Sequence, residues 1–206
     1  MSDRIEVTGH GSVDETPDVL AAVLGSEASS GHVAKALANA DAGFRAMTAA
    51  ARELGVQDAD LRSEGLSVHP DHDERGHPKG FVARMRLSLL LRDLDTAGET
   101  LAAVVSAGGD AARVQGAALG MADPSAALLS ARELAFADAQ DQAQRLAVLA
   151  GRELGRVLRV QDRPSGPVPG GWTKQHGPMR ASLKAVSFEP GSATVSASVT
   201  VRFGLV

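Results

Sequence analysis

Hydrophobic and polar residues alternate along the first thirty positions. Ile5, Val7 and Val13 fall on one side of an extended chain and Arg4, Glu6, Thr8 and Ser12 on the other, which predicts a strand over 4–13. Thr16-Pro17-Asp18 interrupts it, and Val19 to Ser30 continues as a second strand. Ser29-Ser30 offers an N-cap, and Gly31 to Leu54 predicts a helix with Gly55 as its stop. Its apolar stripe is Ala34, Leu37, Ala40, Phe44, Met47, Ala51 and Leu54, spaced by threes and fours. Asp60 to His69 and Phe81 to Arg92 read as two more strands, joined as a long hairpin by the polar loop Pro70–Gly80.

Thr96-Ala97-Gly98-Glu99 has capping-box spacing and opens a short helix that ends near Gly108-Gly109. Arg113 to Ala122 predicts a strand. Asp123-Pro124 then places an N-cap aspartate before a proline at the first helical position. That helix runs to about Ala150 with a narrow stripe of Leu128, Ala131, Ala135, Ala139, Ala143, Leu146 and Ala150. Leu154 to Gln161 is a strand. Residues 164–182 form a Gly/Pro-rich excursion, with four Pro and four Gly between Pro164 and Arg180. Ala193 to Leu205 alternates throughout. The order is ββαββ followed by αβαββ, an α+β class of long, mostly antiparallel strands with helices packed on one face. One domain spans 1–206, divisible into two interlocked halves, 1–93 and 94–206.

Composition narrows the chemistry. Aromatic residues are 3% of the 206, with no Tyr, so Ala, Val and Leu must fill the core. A net charge of −4 gives no general attraction to nucleic acid. No run approaches the ~20 apolar residues of a membrane helix. With no cysteine, disulfides, zinc–thiolate sites and thiol catalysis are excluded. No apolar leader is visible in Met-Ser-Asp-Arg, so the chain as written reads as cytoplasmic.

Three groups are candidates for function. His69, His72 and His77, with Asp71, Asp73 and Glu74 among them, could supply ligands for zinc, nickel or copper; the alternative is a solvated hairpin tip. Arg84, Arg86 and Arg92 share one strand face and could hold an anionic partner, or pair with acids on a neighbouring strand. Trp172 is the single tryptophan and could anchor an interface or pack locally. Gly9-His10-Gly11 starts like a dinucleotide fingerprint, but position 14 is Asp and a strand follows, so the glycines mark a bulge or a close backbone approach. Asp138 and Asp141 lie three apart on a helix, with Arg145 four beyond Asp141, and read as a solvated, salt-bridged face.

An ordered set of motifs resembles the SIMPL-domain family: Ile5-Glu6-Val7-Thr8-Gly9-His10-Gly11, Pro17-Asp18, Asn39, Leu54-Gly55-Val56 leading to Asp60-Leu61, Ala131-Arg132-Glu133, Gly151-Arg152-Glu153-Leu154-Gly155 and Pro190-Gly191. The resemblance implies an architecture, ring-like homo-oligomers and a setting among periplasmic or surface proteins, some linked to oxidative stress; a eukaryotic relative is an adaptor for a Pelle-like kinase. No catalytic residues come with it. The chain departs from the pattern at His10, where an acidic residue is more usual, and in showing no visible export signal. The expectation is a non-enzymatic assembly or interaction protein without a cofactor. Homo-oligomers would form through strand edges and the small-residue helix stripe. The alternatives are a metal-binding module at His69, His72 and His77, or an enzyme with a shallow cleft at the excursion.

Overall fold

The computed structural model describes residues 3–165 and 191–206. Their elements follow the order expected from the pattern: β1 (Arg4–Glu15), β2 (Val19–Ser30), α1 (Val33–Glu53), β3 (Leu61–His72), β4 (Pro78–Leu91), α2 (Leu94–Ala107), β5 (Ala112–Gly120), α3 (Ser125–Leu149), β6 (Leu154–Ser165) and β7 (Ala193–Leu205). All strand pairs among the described residues are antiparallel, and the class is α+β. Two compact units result: 17–122 form one, and 3–16, 123–165 and 191–206 the other. Residues 93 and 94, the expected divide between halves, lie inside the first of these, where β4 and α2 share a core.

The 17–122 unit carries a sheet in the order β3-β4-β2-β5. Leu20, Ala22 and Leu24 of β2 and Leu87, Leu89 and Leu91 of β4 alternate onto one face, where Met47 and Ala51 of α1 and Leu101 and Val104 of α2 cover them. Ser26 continues that face. Fully buried, it donates to the Ala40 carbonyl at 2.7 Å and so satisfies its hydroxyl. Helix α1 presses closely there, since a Cβ on Gly43 would stand 2.6 Å from Ser26 Oγ.

Three local expectations shift. Ser30 belongs to β2, and α1 begins after His32 with its buried stripe at Ala36, Ala40, Met47 and Ala51; Ala34 and Leu54 are exposed. Helix α2 starts at Leu94 because Asp93, not Thr96, caps it: the Asp93 carboxylate accepts from Asp95 N at 3.1 Å and from Thr96 Oγ1 at 2.8 Å. The β3–β4 loop is shorter than Pro70–Gly80, because both strands run on to leave only residues 73–77 between them.

The second unit is built on β1-β7-β6, with β7 in the middle. Val195, Val199, Val201 and Phe203 of β7 and Val7 of β1 face α3. The opposite face is held by polar pairs: Thr8 to Thr200 at 2.9 Å, Thr194 to Asp14 at 2.6 Å and Arg202 to Glu6 at 2.7 Å. Helix α3 starts one residue later than expected, with Pro124 rather than Asp123 at its N-cap; Asp123 just before it accepts from Ser125 N at 2.9 Å. Pro164 and Ser165 belong to β6, an edge strand where proline is tolerated; the rest of the 164–182 excursion lies outside the described residues.

Helix α3 is buried along Ala127, Ala131, Ala135, Ala139, Ala143 and Ala147, one alanine every fourth residue. Leu128 and Leu146 of the expected stripe lie off this row, and Leu146 is 45% exposed. Residues four apart form an oblique ridge on a helix, and a twisted sheet can follow it. The contact closes to backbone distance. A Cβ on Gly9 would lie 2.1 Å from the Ala135 carbonyl oxygen, and one on Gly11 would lie 2.1 Å from that of Ala131. The two glycines thus mark a close backbone approach, one of the two readings open from sequence. The stripe expected to join copies is consumed inside the chain, since these alanines are buried against β1 and β7.

Alanine at either glycine must therefore force helix and strand apart. Gly9→Ala and Gly11→Ala should each destabilise the chain by roughly 3 kcal/mol in urea unfolding. Gly31→Ala, whose Cβ would meet nothing within 4 Å, should change it little.

Candidate functional site

Strand alternation selects what the four-stranded sheet can present. Leu87 and Leu89 point to the helices, so Arg84, Arg86 and Ser88 point to the other face. Register then sets a row across all four strands: Gly65 beside Arg86, Arg86 beside Gly25, and Gly25 beside Arg113. A neighbouring row sets Ser67 beside Arg84, and Arg84 beside Glu27. Arg86 is thus flanked on both sides by residues without side chains, in a groove of about 250 Å³.

The polar groups of this groove divide into engaged and unengaged. Glu27 accepts from Arg84 Nε at 2.5 Å and stands 3.8 Å from Arg113 Nε. Glu64 accepts from Ser88 at 2.5 Å. The side chains of Arg86, Gln115 and Ser67 have no hydrogen bond or ion pair among the described residues. Gln115 lies over Gly25, where a Cβ would come within 2.8 Å of its Nε2. Arg92 does not share this face in the way its spacing suggests. It sits one residue beyond β4 and turns to Asp60, whose two carboxylate oxygens accept from its Nε and Nη2 at 2.7 Å each.

That ion pair borders a second concavity, of about 290 Å³, lined by Gly55, Gln57, Thr96 and Thr100 among others. Asp60 is only 6% exposed, so Arg92 supplies the charge that keeps a buried carboxylate tolerable. The bonds and charge of Asp60 raise the Arg92 guanidinium above its usual value.

The histidines are placed apart. His69 lies within β3 opposite Val82, and His72 ends that strand opposite Pro78. Three positions apart on an extended strand, they point to opposite faces. His77 sits in the turn, its Nδ1 3.3 Å from Asp73 Oδ2. Among the described residues, no three His, Asp or Glu groups come together as a metal site. Trp172 lies outside the described residues. Asp73 organises the turn by accepting from Arg75 N and His77 N at 2.9 Å each, and Gly76 adopts φ +82° there.

Asp138 likewise holds backbone. It accepts from His10 N at 2.8 Å and from Gln142 Nε2 at 2.7 Å, while Arg145 donates to the Asp141 carbonyl oxygen rather than to a carboxylate. Hydrogen bonds hold three carboxyls below their usual range: Asp73 through the His77 N–H foremost, Asp123 through Ser125, and Asp138 through the His10 N–H.

Gln115, Arg113 and the Asp60–Arg92 pair were not singled out from sequence. Glycines inside strands, at 25 and 65, are the signal that could have found the groove.

Among known proteins, the model of the SIMPL family, described as proteins of unknown function (DUF541), matches residues 5–203. The chain belongs to the SIMPL family. It is 29% identical over 178 residues to the 26 kDa periplasmic immunogenic proteins of Brucella melitensis and Brucella abortus, covering 81% of this chain and 70% of theirs. It is also 29% identical over 169 residues to the uncharacterized protein YggE of Escherichia coli K12, covering 81% of this chain and 68% of that one. Among the described residues, no helix of this SIMPL protein is long and apolar enough to cross a membrane.

Two outcomes follow. Carboxyls with lowered values leave the folded chain holding fewer protons than the unfolded one in mild acid. Their stabilisation is complete above the unfolded value of about 3.9 and fades as pH falls through the lower folded values. The urea midpoint should therefore drop below about pH 4, and the drop should be shallower in Asp138→Asn. Separately, Arg92→Met should lower the midpoint more than Arg45→Met, because Arg45 pairs with an Asp41 whose side chain is 36% exposed.

Proposed function

We propose that this SIMPL protein is a non-enzymatic assembly protein whose copies join through β6. The observation that carries the reading is the state of that strand. Among the described residues β6 pairs with β7 alone, leaving one edge of backbone groups open to another chain. Val157, Leu158 and Val160 on it are 42%, 45% and 51% exposed, and Val148 and Leu149 at the end of α3 are 65% and 83% exposed. Apolar side chains on an open edge favour burial against a second copy.

The ionisable groups support a structural role. Each carboxyl held below its usual range binds backbone N–H groups of a turn, a helix start or a strand edge. The Brucella relatives carry "periplasmic" in their name, and we extend that compartment to this chain. Recovery with cytoplasmic markers on cell fractionation would overturn the location.

Sedimentation measures the assembly directly. The wild-type chain should run as an oligomer, and Val160→Arg should shift it toward monomer with an unchanged circular dichroism spectrum. A wild type that stays monomeric across a wide concentration range would end the proposal.

A further inference from the structure

The groove around Arg86 sets three arginines, Arg84, Arg86 and Arg113, against two acids, Glu27 and Glu64. Glu27 is engaged by Arg84 and Arg113, and Glu64 by Ser88. What remains is the Arg86 guanidinium, the Gln115 carboxamide and the Ser67 hydroxyl, none of them satisfied by another described side chain. Interior strand positions rarely favour glycine, yet Arg86 has one on each side, Gly25 and Gly65. Gly65 has its own backbone reason at φ +139°. Gly25 has no such φ, and its missing side chain is what lets Gln115 lie beside Arg86.

We propose that this groove binds a small organic monocarboxylate. A guanidinium presents paired donors in one plane, matching the two oxygens of a carboxylate. Gln115 Nε2 adds a further donor. The acids in the groove leave only a single unpaired arginine, which suits one negative charge better than the two of phosphate. About 250 Å³ is below the roughly 300–1,000 Å³ of sites for drug-sized ligands, so the occupant is small. The site is independent of β6 and stands whether or not the chain assembles.

Nitrogen-resolved NMR of the full chain tests this, with butyrate as the probe and butanol and inorganic phosphate as comparisons. Butyrate should move the Gln115 side-chain amide and Arg86 Nε signals saturably. Arg86→Ala should weaken that response about tenfold or more. Gly25→Ala tests the floor: its Cβ clashes with the far end of the flexible Gln115 side chain and meets Arg113 Cβ and the Met85 carbonyl oxygen at ordinary contact distance, so the fold is kept while the amide is displaced. It should weaken butyrate to a similar degree, and Arg45→Ala should leave it unchanged. No saturable shift with butyrate, an equal response to butanol, tighter binding of phosphate, or full binding in Arg86→Ala would each overturn the proposal.

Discussion

The contact between the α3 backbone and the glycines of β1 governs the second unit. Helices normally stand off a sheet by the depth of two side-chain layers. Here one layer is reduced to alanine methyls and the other is absent at Gly9 and Gly11. Alanine is the strongest helix former, so the residue that permits the approach also keeps a 25-residue helix intact. Close approach lets Asp138 reach past the sheet and take the His10 N–H, a donor on the edge of β1 that β7 does not use. A bulkier helix would stand off and leave that group to solvent. The alternating apolar face of β7 then completes the cover, with Phe203 as the one large ring in the cluster's buried set.

The first unit solves the same problem with larger side chains. Leucines and methionine fill the space between α1, α2 and the sheet, and glycine enters where Ser26 meets α1 at Gly43 and where Gly108 meets Met47. Its other face carries polar rows, so the groove at Arg86 is a by-product of register as much as of residue type. A slip of one position along β3 or β5 would place a different residue beside Arg86 or Gly25.

The elements were legible in the sequence because period-2 and period-3.6 patterns are local properties. The strands, the three helices and their order follow from them. Caps and stripe positions were less so. Asp93 and Thr96 both suit an N-cap, and only the end of β4 at Leu91 decides between them. The alanine row of α3 is ambiguous because the neighbouring leucines suit an ordinary core equally well; the glycines opposite, more than a hundred residues away in the chain, exclude them. The groove depends on pairing across four strands and the Asp60–Arg92 bond spans 32 residues, and neither separation leaves a local trace. The histidines illustrate the reverse. Close spacing in sequence suggested convergence, and strand alternation separates His69 from His72.

The middle position of β7 has a consequence for how the molecule is made. Among the described strands β1 pairs with β7 alone, and it is synthesised long before that partner; Thr8 and Thr200, which touch, are 192 residues apart. The strands and helices of 17–122 can close among themselves while synthesis continues. For all that time the glycine-bearing edge of β1 is an unpaired strand, and α3, synthesised in between, is the first element available to shelter it. Synthesis order, then, makes the helix the early guardian of a sheet that only β7 can join.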